Sequence, residues 1–274
     1  MLKRIISAAV GITFMLGVII SSTFFPFVID IFVALVCLVG IYEFSRATKT
    51  LSLFSISIPS MAFAFAFPLL ISFHIGYLVW YVYSAVMLTM LIFNHKKINY
   101  RDFAALYGMT LIITVALSSI ILVKAQDVLH STIYFVLSLG IPWVADAGAY
   151  FVGVYLGKHK LCPEISPQKT IEGAVGGVVT CVAVVCFAAW LFSTYIFTVP
   201  TEVNYFNLIV MASSASVLSI LGDLSFSLVK RAFSVKDYGN LIPGHGGVLD
   251  RFDSVIFVAP LIYLLVSVMP IINL

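Results

Sequence analysis

Nine long apolar runs, parted by short polar or turn-forming breaks, constrain this chain more than any other feature. They fall at residues 5–25, 27–45, 57–73, 75–94, 103–123, 133–156, 171–198, 206–229 and 252–271. Each is about 17 to 28 residues, the length a helix needs to cross a hydrocarbon layer, the longest by tilting or overrunning it. Run length and the lack of period-2 alternation predict helices rather than a β-barrel. The third and fourth runs have the weakest division, with only His74, Ile75 and Gly76 between them. Composition offers no aqueous alternative. The 274 residues are 62% hydrophobic and 10% charged, against about 25% charged in a soluble domain. The expected fold is all-α: a polytopic integral membrane protein of about nine transmembrane helices.

Lys3 and Arg4 precede the first run as they do in a signal peptide. That run is long enough to span, however, and no small-x-small cleavage site follows it, so it reads as a retained first span. With the N-terminus in the cytoplasm and the spans alternating, fourteen of the fifteen basic residues fall inside and only Lys124 outside. Positive residues accumulate on the cytoplasmic side of membrane proteins, and a wrong number of spans would scramble the pattern. The net charge of +3 is spread over the loops and forms no nucleic-acid-binding patch. Cys37, Cys181 and Cys186 lie in apolar runs and Cys162 stands alone in a loop, so neither zinc nor a disulfide framework is expected.

The acids are more informative. A carboxylate in lipid needs a partner, an aqueous cavity or a cation. Asp30 and Glu43 lie near opposite interfaces, and an interfacial or helix-packing role accounts for them. Asp146, Glu172, Asp223, Asp250 and Asp253 gather around the last two large cytoplasmic loops. In the first of these, Ser166-Pro167 reads as a helix start that puts Lys169 and Glu172 one turn apart. A hydroxyl, a lysine and helix N-terminal amides can hold phosphate; on this segment alone the plainer reading is a helix cap with a solvated lysine.

The second loop, residues 227–253, holds Lys230, Arg231, Lys236, His245 and Arg251 among the glycines 239, 244, 246 and 247. Successive amides in a glycine-rich loop can form an anion-binding nest; the plainer reading is a flexible turn. His245 is placed to meet a phosphate, to assist a proton transfer or to brace the loop. Asp250 and Asp253, three apart, share a helix face. Two such carboxylates repel unless a cation joins them. With Asp223, and with Asp146 from span six, they make an oxygen-rich set suited to Mg2+ and to phosphoryl or nucleotidyl transfer. A transporter also needs many spans and buried acids, but here the polar residues cluster at one face instead of tracing a path across the bilayer. No inverted repeat is visible. The paired-aspartate DG…AR spacing of CDP-alcohol phosphatidyltransferases is missing.

Residues 227–253 resemble the signature of the phosphatidate cytidylyltransferases, or CDP-diacylglycerol synthases. The match runs through Ser227, Val229, Lys230-Arg231, Lys236-Asp237, Gly239, Ile242, Pro243, His245-Gly246-Gly247, Val248, Asp250-Arg251, Phe252 and Asp253. It extends to Asp146 with Ala147, Gly148, Ala149 and Tyr150, to GKHKL and to ISPQKTIEG. Family members often carry a glutamate where Phe226 stands, a basic residue at Gln168 and a threonine or serine at Ala147. The resemblance implies transfer of the cytidylyl group of CTP to phosphatidic acid, giving CDP-diacylglycerol and pyrophosphate for phospholipid synthesis in the cell membrane, with the site on the cytoplasmic side. Asp223 and Asp250 would hold Mg2+, with Asp253 and Asp146 completing the set directly or through water. Lys230, Arg231, Lys236, Arg251 and the Gly244-His245-Gly246-Gly247 backbone would hold phosphates, with Lys169, Ser166 and Ser227 beside them. A second, monovalent cation and a homodimer are compatible with the pattern. Residues 1–130 would then serve as scaffold and lipid access, and residues 131–274 as catalytic spans and loops of one membrane domain.

Overall fold

The computed structural model describes residues 2–25, 27–126, 131–195, 202–244 and 246–273. Among them are nine α-helices: α1 (Leu2–Phe24), α2 (Phe27–Ala47), α3 (Phe54–Leu70), α4 (Gly76–Phe93), α5 (Tyr100–Gln126), α6 (Ser131–Leu156), α7 (Ile171–Tyr195), α8 (Tyr205–Ala232) and α9 (Leu249–Val268). Eight are long and apolar enough to cross a membrane, and the described apolar part of α1 runs Ala9–Phe24. The protein is an all-α polytopic membrane protein, as the run lengths predict. The weakest predicted division is also present: a short 3-10 turn, Ile71–Phe73, follows α3, and left-handed His74 (φ 60°) separates it from α4.

The chain divides into two compact units, one of Met1–Thr132 with Lys230–Phe252, the other of Ile133–Val229 with Asp253–Leu274. In the first unit, α2 packs against α3 and α5, and Ile29, Val33, Ala34, Cys37, Ile41 and Phe44 are buried along it. Two hydroxyl pairs join neighbouring helices of this unit. Ser60 Oγ meets the Tyr83 hydroxyl at 3.0 Å and Ser84 Oγ meets the Tyr107 hydroxyl at 2.7 Å. The rings of Phe63, Tyr83, Tyr107 and Phe103 stack in sequence. Asp30 forms a 2.9 Å ion pair with Lys124 of α5, which satisfies the structural reading of that acid.

In the second unit, α6 and α7 approach closely because small residues line both. A Cβ on Gly177 would stand 2.7 Å from the Ala145 carbonyl oxygen, and one on Gly148 would stand 2.7 Å from Thr180 Cβ. In lipid, where apolar burial does not draw helices together, such close backbone packing holds them. Two short antiparallel ladders complete this unit: β1 (Lys160–Cys162) with β2 (Ser166–Thr170), and β3 (Glu202–Val203) with β4 (Ile272–Asn273).

One local expectation is corrected. Residues 166–170 form a strand, not the first turn of a helix, so Lys169 and Glu172 do not share a helix face. Thr170 decides the boundary: its hydroxyl accepts the Gly173 amide at 3.1 Å, capping α7 after the strand instead of at Ser166. Glu172 turns back on the hairpin, accepting the amides of Lys158 (3.0 Å) and His159 (3.1 Å) and contacting His159 Nδ1 at 2.6 Å.

Candidate functional site

In the first unit the loop after α8 is organised by two carboxylates. Left-handed Ser234 (φ 56°) turns the chain out of α8, with the Val235 amide donating to the Lys230 carbonyl at 2.9 Å. The Arg101 guanidinium donates to the Ala232 carbonyl at 3.3 Å and lies 5.7 Å from the Phe233 ring centre, bracing that helix end. Tyr238 is buried, its ring 5.9 Å from Phe44 and 5.4 Å from Lys230 Nζ. Gly244 (φ 81°) and Gly246 (φ 86°) then take up backbone that other residues rarely adopt. The Ile242 amide donates to the Gly246 carbonyl at 2.9 Å, closing a tight turn.

Asp250 faces this turn from the first turn of α9. Its Oδ2 accepts the amides of Tyr238 and Gly247, each at 3.0 Å, and its Oδ1 accepts Lys230 Nζ at 3.1 Å. The pair is well shielded, with 3% of the Asp250 side chain and 11% of the Lys230 side chain exposed. Glu43 of α2 supplies the second carboxylate. Its Oε1 accepts the Val248 amide at 3.1 Å and its Oε2 the Leu249 amide at 2.8 Å. A carboxylate at the start of a helix satisfies donors that the helix itself cannot, so α9 begins at Leu249, ahead of the apolar run at 252. Arg231, Lys236 and Arg251 are exposed. His245 lies outside the described residues.

In the second unit Lys169 of β2 forms an ion pair with Asp223 of α8, both about one-quarter exposed (24% and 27%). Asp253 Oδ1 accepts the Ser254 amide at 2.8 Å and the Ser254 hydroxyl at 3.4 Å. That hydroxyl also lies 3.5 Å from Asp146 Oδ2, so Ser254 stands between two acids. Gly222 lets α8 come up against α9 here: a Cβ would sit 3.1 Å from the Asp253 carbonyl oxygen. Ser227, one turn beyond Asp223, and Ser166 on β2 are half-buried. Among the described residues, no three His, Cys, Asp or Glu side chains gather as a metal-holding group.

Sequence reasoning assigned Glu43 only an interfacial or helix-packing role and did not single out Ser254. Ser254 carried a signal, since it follows Asp253 directly. Glu43 carried almost none, because its partners lie 205 and 206 residues further along the chain.

An all-α membrane protein whose late helices present acids to lysines is the class that these elements define. The chain belongs to the cytidylyltransferase family, whose model matches residues 2–269. It is similar to the phosphatidate cytidylyltransferase of Bacillus subtilis (strain 168), 47% identical over 125 residues covering 46% of this chain and 44% of the relative. The phosphatidate cytidylyltransferase of Staphylococcus saprophyticus is 36% identical over 183 residues, 66% of each chain. That of Staphylococcus haemolyticus is 44% identical over 140 residues, 51% of this chain and 50% of the relative. The chain thus spans from about half to just under two thirds of the length of these curated relatives.

Proposed function

We propose that this chain transfers the cytidylyl group of CTP to phosphatidic acid, releasing pyrophosphate, from the cytoplasmic side of the cell membrane. The observation that carries the reading is the carboxylate–lysine pairing made twice, Asp223 with Lys169 and Asp250 with Lys230, in a chain of the cytidylyltransferase family. Carboxylates and ammonium groups together are what a reaction between two polyanions requires: cationic side chains to hold phosphate and acids to keep those side chains placed.

A phosphate oxygen of phosphatidate attacks the α-phosphorus of CTP. An oxygen–phosphorus bond forms, the bond from the α-phosphorus to the bridging oxygen breaks, and its electron pair leaves on pyrophosphate. A phosphomonoester loses its second proton near pH ~6, so the attacking oxygen is already anionic at neutral pH and needs no strong base. Lys169 and Lys230 supply positive charge beside the acids, and exposed Arg231, Lys236 and Arg251 receive the triphosphate from water. Ser166, Ser227 and the amides of Gly244 and Gly246 add neutral donors. The Gly247 amide serves through Asp250, to which it is bonded. His245 remains part of the proposal as a phosphate contact.

Mg2+ belongs to the proposal, with Asp146 and Asp253 to hold it and Asp223 of the same unit to keep Lys169 placed, while Asp250, whose oxygens are taken by Tyr238, Gly247 and Lys230, serves by positioning Lys230. Asp146 and Asp253, two acids joined through one serine hydroxyl, match the one or two protein carboxylates that Mg2+ usually takes. Bound there, the ion would supply positive charge to screen the phosphates and the leaving group. The test uses purified protein in detergent with cytidine-labelled CTP, phosphatidate and Mg2+. Label should pass into the lipid fraction, and EDTA should stop it. Well-folded protein that transfers no label would end the proposal.

A further inference from the structure

Glu43 is 1% exposed, and its carboxylate oxygens accept the Val248 and Leu249 amides at the start of α9. Two of the loop glycines are shaped by it. A Cβ on Gly239 would fall on the Glu43 carboxylate, and on Gly247 it would stand 2.5 Å from Oε2 and 2.7 Å from Oε1. At both positions the three nearest obstacles are all Glu43 atoms. Neither glycine has the left-handed backbone found at Gly244 and Gly246. Alanine is therefore compatible with the backbone at 239 and 247; the carboxylate is what excludes it.

We propose that Glu43 is a positioning residue for the proposed transfer reaction, an internal anion that occupies the first amides of α9 and dictates glycine at 239 and 247. The Val248 and Leu249 amides that a phosphate would seek at this helix start are taken by protein. Gly239 and Gly247 thus seat a carboxylate and do not form a phosphate nest. Leu249 directly precedes Asp250, and Gly247 belongs to both arrangements: a Cβ there would meet Glu43, and its amide donates to Asp250. Glu43 acts on the reaction by fixing where Asp250 stands.

The inference rests on the proposed function only for its activity readout, so the test has two arms on the full chain in detergent. The first needs neither substrate nor metal. Hydrogen exchange of the Val248 and Leu249 amides should quicken about tenfold or more in Glu43→Gln, which keeps the size but places a donor against amide donors. Unchanged exchange overturns the proposal whether or not the protein transfers cytidylyl groups. The second arm is a double-mutant cycle. Gly239→Ala should cut turnover about tenfold or more in the natural background, through kcat rather than the KM for CTP. In a Glu43→Ala background, where the methyl has room, it should cost less than about twofold. Equal losses in both backgrounds would assign Gly239 to substrate contact or bare flexibility and would overturn the proposal. If Glu43→Ala does not fold, Glu43→Ser provides the same space with a hydroxyl and decides the cycle.

Discussion

Asp250→Asn is expected to lower cytidylyl transfer by about two to three orders of magnitude and also to destabilise the protein. Both oxygens of this carboxylate act as acceptors, Oδ2 for the Tyr238 and Gly247 amides and Oδ1 for Lys230. Asparagine offers one acceptor oxygen and an NH2. Whichever way the amide turns, a donor meets a donor. The Lys230 ammonium, 11% exposed, then loses the Asp250 charge beside it. Breaking a buried pair by removing one partner costs about 3–5 kcal/mol, so the melting temperature should fall with the activity. Thermal unfolding and turnover measured on one preparation check both. Activity retained alongside a lowered melting temperature would make Asp250 a structural clamp alone.

Asp223→Asn separates the two effects. Its ion pair with Lys169 is about one-quarter exposed on each side (24% and 27%), and exposed pairs contribute about 0–1 kcal/mol. Stability should hardly change. Transfer should still fall about a hundredfold or more, because in the proposed reaction this charge keeps Lys169 placed for the phosphates. An unchanged melting curve with turnover reduced to that extent assigns Asp223 to the reaction. Unchanged turnover would remove it from the site. The contrast with Asp250 is informative because the chemical change is the same while the burial and the hydrogen-bond partners differ.

Much of this was legible in the sequence, for a physical reason. Lipid requires each spanning segment to satisfy its own backbone, so helix length and apolar length coincide, and the nine runs became nine helices among the described residues. Even the break at His74 held, because a left-handed residue ends the turn there. Legibility failed where a polar partner came from afar. Nothing local distinguishes residues 166–170 from a helix start; the Thr170 cap and the pairing with Lys160–Cys162 do. The start of α9 is set by a carboxylate on α2, invisible in any window around Leu249. The glycines at 239 and 247 suggested a nest for phosphate by composition, whereas their immediate neighbour is Glu43. The lysine and acid types at the site were readable, but their pairing, Lys169 with Asp223 and Lys230 with Asp250, needed coordinates.

The central claim is nucleotidyl transfer, and the position of the transferred phosphorus tests it most directly. Purified protein would be given phosphatidate and Mg2+ with CTP labelled at either the α- or the γ-phosphorus. Label from the α position should enter the lipid, with one pyrophosphate released for each lipid labelled, and the γ label should appear only in pyrophosphate. Lipid labelled from the γ position, or CTP hydrolysed with no labelled lipid, would contradict the account.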